Sequence, residues 1–242
     1  MLTGRYELKF PIDARQRADL LAEARDALQE DPHGTAAVYR VSSLYFDSPE
    51  RLAYHEKLDG EYRRRKFRLR WYPLPEQEQG AMSAAFFEVK HRIDQRVLKE
   101  RVALEPEGAR AILEEPARLA RLADYVRPGR GGETVGSVLR QLERQRLEPV
   151  AVISYVREAW MGALDQRLRL TFDSACQVLL PTGWTDAPLG TGRAILPPER
   201  YIMEVKFDRR LDRWLRDLVV SRGLVQRRFS KYARGVEELN AR

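Results

Sequence analysis

The chain has 242 residues, of which 43% are hydrophobic and 33% are charged, and its formal net charge at pH 7 is +7. These values exclude a disordered chain and allow one large or two small domains with a buried core. No apolar run approaches the roughly 20 residues that span a bilayer, and the single cysteine, Cys176, excludes an internal disulfide framework. The N-terminal residues lack the apolar core of a signal peptide, so we expect a cytoplasmic protein.

The positive charge comes mostly from arginine. The planar guanidinium group suits phosphate oxygens better than the point charge of lysine does. This composition indicates a polyanionic partner, but charge alone does not separate nucleic acid, nucleotide, polyphosphate and membrane surface.

At least six segments alternate in the same way, with large apolar side chains at one parity and mostly cations at the other. Because successive side chains of a strand point to opposite faces, each segment is predicted to be a strand with one charged face. In chain order, the predicted strands lie in residues 5–10, 38–46, 62–72, 85–92, 97–104, 150–161, 164–178 and 202–208.

Helical patterns separate these strands. One helix is predicted to begin at Asp13, which has capping-box spacing with Gln16, and its apolar stripe continues to Leu28. Residues 211–224 are predicted to form a second amphipathic helix, and residues 105–148 form a helical insertion between strands of one sheet system. No linker divides the chain, so we predict a single domain over all 242 residues.

The last strand carries the most informative pair of charges. Glu204 and Lys206 share one face, and their apolar neighbours Met203, Val205 and Phe207 share the other. A carboxylate beside an ammonium group suits the binding of a metal ion next to a phosphate oxygen. For one strand alone, the alternative is a charged face that simply meets solvent.

Two architectures satisfy the repeated pattern. The charged faces can meet water on an open sheet, or they can line the interior of a closed barrel whose apolar exterior is covered by helices. Two cations about 6 Å apart repel by roughly 3 kcal/mol at an effective dielectric constant of 20. A closed, cationic interior would therefore require water, counter-anions or a phosphate chain.

Eight segments in chain order resemble the vacuolar transporter chaperone domain, the polyphosphate-polymerase branch of the triphosphate tunnel metalloenzymes. They are RYELKF (5–10), YRVSSLYFDSP (39–49), KFRLRWY (66–72), FFEVKHR (86–92), SYVREAW (154–160), RLRLTFD (167–173), YIMEVKF (201–207) and FSKY (229–232). The resemblance implies an α+β protein with a closed antiparallel β-barrel, the triphosphate tunnel fold, and helices packed on the outside. It also implies a divalent metal, Mn²⁺ or Mg²⁺, and cleavage or transfer at a triphosphate.

The resemblance also implies roles for individual residues. The catalytic cations would be Lys9, Arg68, Arg70, Lys90, Arg157, Arg169, Lys206 and Lys231. Lys66, Tyr155 and Ser230 would bind phosphate, and Glu204 would bind the metal together with Glu7 and Glu88, which share its inward parity. The wider superfamily opens with Glu-x-Glu-x-Lys, which is reduced here to Glu7-Leu8-Lys9.

Three hypotheses for function follow. The first is phosphoryl transfer from a nucleoside triphosphate to a growing polyphosphate chain, and the second is hydrolysis of a triphosphate or nucleoside triphosphate on the same fold. The third is a non-catalytic module that binds polyphosphate or nucleic acid, but Phe67, Trp71 and Phe87 lie at the parity opposite the cations, which disfavours base stacking along a nucleic acid. Any link to a membrane is expected to come from a partner protein.

In the second predicted strand, residues 38–46, the alternation indicates less directly which side chains face inward. Tyr39, Tyr45 and Phe46 are predicted to pack in the core, which leaves Arg40 and Ser42 to face a tunnel.

Overall fold

The computed structural model of the protein describes residues 4–31, 38–74, 81–128, 132–181 and 191–241. In this part of the chain, ten strands form one antiparallel sheet. They are β1 (Arg5–Asp13), β2 (Leu28–Glu30), β3 (Val38–Asp47), β4 (Arg63–Pro73), β5 (Met82–Ile93), β6 (Arg96–Leu104), β7 (Glu148–Gly162), β8 (Arg169–Leu179), β9 (Arg193–Ala194) and β10 (Arg200–Phe207).

Eight of these strands close into a ring. Their hydrogen-bonded order is β7-β3-β4-β5-β6-β1-β10-β8, and β8 pairs back with β7. The predicted closed antiparallel barrel of an α+β protein is therefore confirmed, and an open flat sheet is excluded. The narrowest joint is between β1 and β6, which pair only through Arg5–Val97 and Tyr6–Arg96.

Helices follow or connect the strands. They are α1 (Ala14–Glu23), α2 (Leu52–Leu58), α3 (Pro106–Glu114), α4 (Gly132–Glu143), α5 (Arg213–Ser221) and α6 (Lys231–Asn240), with a 3₁₀ helix at Pro116–Tyr125. Thus α3, the 3₁₀ helix and α4 lie between β6 and β7. None of the described helices combines the length and the apolar composition needed to cross a membrane.

The outward faces of the strands are covered by helices. On one side, Leu69 and Phe87 pack with Ile112 of α3 and with Leu122 of the 3₁₀ helix. On another side, Val205 of β10 is part of a buried cluster with side chains of α1 and α5. Burying one such apolar side chain contributes roughly 1.5–3 kcal/mol. The amphipathic helices therefore keep the apolar face of each strand on the outside of the ring and the charged face on the inside.

The first helix begins as predicted but ends earlier. Asp13 Oδ1 accepts a hydrogen bond from the Gln16 backbone at 2.8 Å, and Gln16 Oε1 accepts one from the Asp13 backbone at 3.0 Å, which completes the capping box. The extension of the helix to Leu28 is wrong, because the chain turns after Glu23 and Leu28 begins β2. Leu28 is buried because β2 pairs with the end of β7. Its position in the sequence also fits the apolar spacing of a helix, which explains the wrong prediction.

The C-terminal helix α6 was not predicted. Ser230 caps it by accepting a hydrogen bond from the Ala233 backbone at 3.3 Å. Its first turn enters the ring, where the Tyr232 ring stacks on Tyr45 with the centroids 5.0 Å apart. Gly235 faces β7 so closely that a Cβ atom there would lie 2.5 Å from Ile153 Cδ1. The glycine therefore permits the helix to dock against the inner side of the sheet.

Candidate active site

The ring encloses a cavity of about 860 Å³, which we call the central cavity. Its described wall contains fifteen lysine and arginine residues but only three glutamates, so its charge is strongly positive. Thirteen of the fourteen predicted site residues line it, namely Glu7, Lys9, Lys66, Arg68, Arg70, Lys90, Tyr155, Arg157, Arg169, Glu204, Lys206, Ser230 and Lys231. The exception is Glu88.

The period of the strand brings these residues together. In β4, Lys66, Arg68 and Arg70 point into the central cavity, whereas Phe67 and Leu69 belong to the apolar cluster outside. The same alternation in the other strands of the ring adds Lys9, Lys90, Arg157 and Lys206 to the cavity wall. Residues that are distant in the sequence thus converge on one enclosed volume.

Glu88 lies behind the cavity wall and is fully buried. Its carboxylate contacts Arg68 Nη2 at 2.6 Å, Arg101 Nη2 at 2.6 Å and Lys99 Nζ at 3.2 Å, and Arg70 Nε lies 3.9 Å away. Burial alone would raise the pKa of Glu88, but Arg68 and Arg70 hold this pKa well below its usual range. The carboxylate therefore helps to position three arginines that line the central cavity, Arg68, Arg70 and Arg101.

A second buried carboxylate, Asp173, anchors cations from two elements. Arg157 binds it with two hydrogen bonds of 2.7 and 2.8 Å, and Lys231 of α6 donates to it at 2.5 Å. Although burial alone would raise the pKa of Asp173, Arg157 and Lys231 lower it below its ordinary value. Asp173 thus connects α6 to the ring next to Glu204, which lies 3.5 Å from Arg157.

Glu7 and Glu204 form a carboxylate pair on the adjacent strands β1 and β10. Lys206 Nζ lies 3.8 Å from Glu7 and 3.7 Å from Glu204, and Lys90 donates a hydrogen bond to Glu7 at 2.8 Å. Burial would raise the pKa of Glu204, but Lys206 and Lys9 hold it well below its usual range. Burial lowers the pKa of Lys206 to about 8, against the opposing effect of the two glutamates.

The donor set at this pair fits a hard divalent cation. No group of three or more His, Cys, Asp or Glu side chains is arranged to hold a metal in the described ranges. Mg²⁺ is commonly held in proteins by one or two carboxylates together with substrate phosphates. Two carboxylates inside a cationic cavity match that arrangement, whereas Glu88 is enclosed by four cations.

Lys66 and Ser230 mark the end of the central cavity that α6 enters. Lys66 Nζ donates a hydrogen bond to Ser230 Oγ at 2.8 Å. Burial lowers the pKa of Lys66 well below the ordinary lysine value, and repulsion from Lys90 and Lys9 adds to this effect. An anion between these cations would favour their charged forms.

Tyrosine hydroxyls hold several of the arginines in place. Arg70 Nη2 donates to Tyr155 Oη at 3.1 Å, and Arg68 Nη1 donates to Tyr45 Oη at 3.0 Å. Because each hydroxyl accepts from an arginine, its own proton is available to a further acceptor such as a phosphate oxygen.

The opposite end of the cavity contains Arg169 and Tyr39. Arg169 Nε lies 2.7 Å from the buried carboxylate of Asp31, and its Nη2 donates to Tyr39 Oη at 3.1 Å. These contacts hold the guanidinium group of Arg169 at the wall of the central cavity.

Sequence reasoning missed several residues of the cavity wall. Tyr39 and Tyr45 line the cavity as well as packing, and Tyr72, Lys99 and Arg101 line it too. The parity of β4 and β6 gives a signal for the last three residues, since Tyr72 continues the row of Arg68 and Arg70.

The expectation that Arg40 and Ser42 of β3 face the tunnel is wrong. Arg40 Nε donates to Ser154 Oγ at 2.9 Å, and Ser42 Oγ lies 3.0 Å from the same hydroxyl. These side chains lie on the parity opposite Tyr39 and Tyr45, because Leu44 and Phe46 of their row pack in the outer apolar cluster.

Comparisons with known proteins give the family. A family model described as the VTC domain matches residues 4–240. The chain belongs to the VTC domain family. Subunit 4 of the vacuolar transporter chaperone complex from Trypanosoma brucei brucei is 25% identical over 229 residues, and that from Trypanosoma cruzi is 23% identical over 225 residues. Each alignment covers 82% of this chain but 28% of the relative, so this VTC domain corresponds to about a quarter of either protein.

Solved structures share the fold of this VTC domain. A candidate adenylyl cyclase from Hippeastrum, described as having a dominant triphosphatase activity, aligns with a TM-score of 0.54 at 13% identity, covering 97% of this chain and 96% of its own. A candidate adenylate cyclase from Bacillus halodurans aligns with a TM-score of 0.51 at 14% identity, covering 94% and 95%. At these identities the likeness concerns the triphosphate tunnel fold alone.

Proposed function

We propose that this VTC domain is a phosphotransferase that binds a nucleoside triphosphate in the central cavity and transfers its γ-phosphoryl group to polyphosphate. The observation that supports this most strongly is the convergence of cations from separate strands on one enclosed volume. Hydrogen bonds to charged groups contribute roughly 1.5–3 kcal/mol each. Several together would hold a phosphate chain firmly inside the ring.

Binding is assigned to cations with fixed orientations. Arg68 and Arg70 are held by Glu88, and Arg157 is held by Asp173. Because their guanidinium groups are already ordered, little conformational entropy is lost when phosphate oxygens arrive. Glu88 therefore acts in this proposal as a positioning residue for the arginines, and the metal is assigned to Glu7 and Glu204.

The transfer step requires no nucleophile from the protein. An oxygen of the terminal phosphate of the acceptor attacks the γ-phosphorus in line, and the bond from that phosphorus to the β,γ-bridging oxygen breaks. The products are a nucleoside diphosphate and a chain longer by one phosphate. Lys9, Lys90 and Arg157 would stabilise the charge on the equatorial oxygens during this step.

The carboxylate pair would hold Mn²⁺ or Mg²⁺ at the phosphates. When bound there, a divalent ion supplies further neutralisation of phosphate charge. The chain's own contribution is to hold the two carboxylates side by side, with Lys206 Nζ 3.8 Å from Glu7 and 3.7 Å from Glu204.

The test is incubation of the purified domain with γ-labelled ATP, a short polyphosphate primer and either metal, followed by sizing of the labelled product. We expect labelled chains longer than the primer. Release of label only as phosphate would make water the acceptor and the domain a hydrolase. Binding of ATP without any turnover would make it a non-catalytic module.

A matched pair of variants locates the reaction. Glu204→Gln keeps the shape of the side chain but removes the charge, and we expect turnover to fall by about a hundredfold or more. Asp208→Asn makes the same change just beyond β10, where Asp208 pairs with Arg5 outside the carboxylate pair, and turnover should be retained. Equal turnover in Glu204→Gln and the parent would remove Glu204 from the reaction.

Partners and location belong to the same proposal. The trypanosome relatives are named as subunits of a complex, and we infer a membrane-associated partner protein for this domain as well. We place the domain in the cytoplasm and assign it no nucleic-acid partner.

A further inference from the structure

Three neighbouring strands place aromatic rings at the same end of the central cavity. These are Tyr39 of β3, Tyr72 of β4 and Phe86 of β5, which we call the aromatic wall. The ring centroids of Tyr39 and Tyr72 are 5.8 Å apart, and those of Tyr72 and Phe86 are 6.3 Å apart with an edge-to-face geometry. All three side chains are only partly buried, and Tyr39 and Tyr72 line the cavity.

Phosphate-binding cations adjoin the aromatic wall directly. Arg70 is paired with Phe86 across β4 and β5, and Arg101 lies over the Phe86 ring at 4.3 Å. Tyr72 follows Arg70 by two residues on the same face of β4, a step of roughly 6.6–7 Å along a strand. The aromatic ring of Tyr72 thus lies one side-chain spacing away from the guanidinium group of Arg70, which faces the cavity.

The other end of the same two strands has a different chemistry. There, Arg64 and Arg92 are paired across β4 and β5. The pKa of Lys57 of α2 is lowered by burial and by repulsion from both arginines. These three residues also line the central cavity. The two ends of the cavity therefore differ: cations lie beside the rings of the aromatic wall at one end, whereas Lys57, Arg64 and Arg92 cluster at the other.

We propose that the aromatic wall is a nucleobase subsite, which stacks the base of a nucleoside triphosphate while its phosphates extend toward Arg68 and Lys90. This inference rests on the proposed function and specifies its substrate as a nucleotide rather than an inorganic triphosphate. Every base has a π-face, so stacking on such rings accepts different bases. The arrangement orients the nucleotide with its γ-phosphate pointing toward the end that contains Lys57, Arg64 and Arg92.

Equilibrium binding of ATP and of inorganic tripolyphosphate to the full chain tests the subsite. Tyr72→Leu removes the ring, and we expect it to weaken ATP binding about tenfold or more while tripolyphosphate binding stays within about twofold. Tyr72→Phe keeps the ring and is the matched control, for which both affinities should equal those of the parent. Tyr72→Trp enlarges the ring and should tighten ATP binding alone.

The outcomes separate this subsite from the proposed function. Equal weakening of both ligands by Tyr72→Leu, or ATP binding that is unaffected by both Leu and Trp, would overturn the subsite and leave the phosphate site intact. If the parent binds neither ligand, the proposed function fails and the subsite fails with it. Because Tyr72→Trp keeps an aromatic ring at this position, the test still holds if the Leu variant folds poorly.

Discussion

At Glu88, burial and neighbouring charges act in opposite directions on the carboxylate. It is fully buried, yet four cations neutralise it, and all four line the central cavity. Glu88→Gln keeps the side-chain volume but leaves these cations uncompensated. We therefore expect the free energy of unfolding in urea to fall by about 3–5 kcal/mol.

The control for this variant is Glu105→Gln, which breaks an ion pair between exposed partners, Glu105 and Arg127. Exposed pairs contribute about 0–1 kcal/mol, so this variant should unfold almost as the parent does. A Glu88→Gln variant as stable as Glu105→Gln would mean that the buried carboxylate does not organise the arginines.

We predict that Lys66 makes the free energy of unfolding of this protein depend on pH. Its pKa in the folded protein lies well below the ordinary value of 10.5, because burial disfavours the ammonium group and Lys90 and Lys9 repel it. The unfolded chain therefore binds this proton more tightly, so the stability of the empty protein should rise with pH between the two pKa values. Lys66→Met should raise the free energy of unfolding at neutral pH and flatten that rise in urea titrations.

A charged replacement provides the control. Lys66→Arg stays protonated across the accessible pH range, so its stability should not gain from deprotonation at this site. Should Lys66→Met instead be less stable than the parent at neutral pH, the hydrogen bond to Ser230 would outweigh the cost of burying the charge.

At this scale the sequence predicted the cavity wall well, because strand parity is a local property. Alternation alone placed Lys66, Arg68 and Arg70 on one face. It failed for Tyr39 and Tyr45, since a tyrosine has both an apolar ring and a polar hydroxyl and its side of the sheet depends on what its row packs against. It also failed to separate Glu88 from the cavity, because the cations that enclose it come from β4 and β6.

Among the elements, α6 links packing to the site most directly. Gly235 in its middle approaches the fully buried side chain of Ile153 and lies near Val178, leaving no room for a Cβ atom. Overpacking costs about 1–3 kcal/mol, whereas alanine gains up to about 1 kcal/mol over glycine in a helix. Gly235→Ala should therefore lower the free energy of unfolding and weaken tripolyphosphate binding through Ser230 and Lys231.

The matched control is Gly136→Ala in the interior of α4. There, an added Cβ would meet only the end of the flexible Arg140 side chain, at 3.2 Å. Helix propensity should dominate, and stability should rise by about 0.5–1 kcal/mol. Opposite signs for the two substitutions are the expected result, and the same sign would contradict the docking of α6.

Element boundaries were harder to predict than element types. The start of α1 follows from the capping box of Asp13 and Gln16, which is a local signal. Its end does not, because Leu28 is drawn into β2 by pairing with the distant end of β7. The helix α6 has a cap at Ser230, but its docking relies on a glycine contact with β7 and β8 that no local pattern reveals.

For the whole molecule, the positive cavity predicts strong linkage between stability and anions. A ligand that binds only the folded state at 100 times its Kd stabilises it by about 2.7 kcal/mol. Tripolyphosphate should therefore raise the unfolding temperature, and the effect should weaken with added salt because the screening length falls from about 10 Å at 0.1 M to about 3 Å at 1 M. Calorimetry at several salt concentrations measures this.

Two arginine variants with equal charge changes make this prediction specific. Arg68→Gln removes a cation of the central cavity and should reduce the stabilisation by tripolyphosphate. Arg213→Gln removes an exposed cation paired with Asp217 on α5 and should leave it unchanged. Equal loss in both variants would assign the effect to the net charge of +7 rather than to the cavity.

The joint between β1 and β6 is held by two residue pairs, whereas β1 and β10 share eight. An ion pair crosses this joint, because Glu7 belongs to β1 and Lys90 belongs to β5, on the far side of β6. A phosphate chain that draws Lys90 away from Glu7 would break this ion pair. We therefore expect occupancy of the central cavity to weaken the joint between β1 and β6, the pair of strands in the ring with the fewest paired residues.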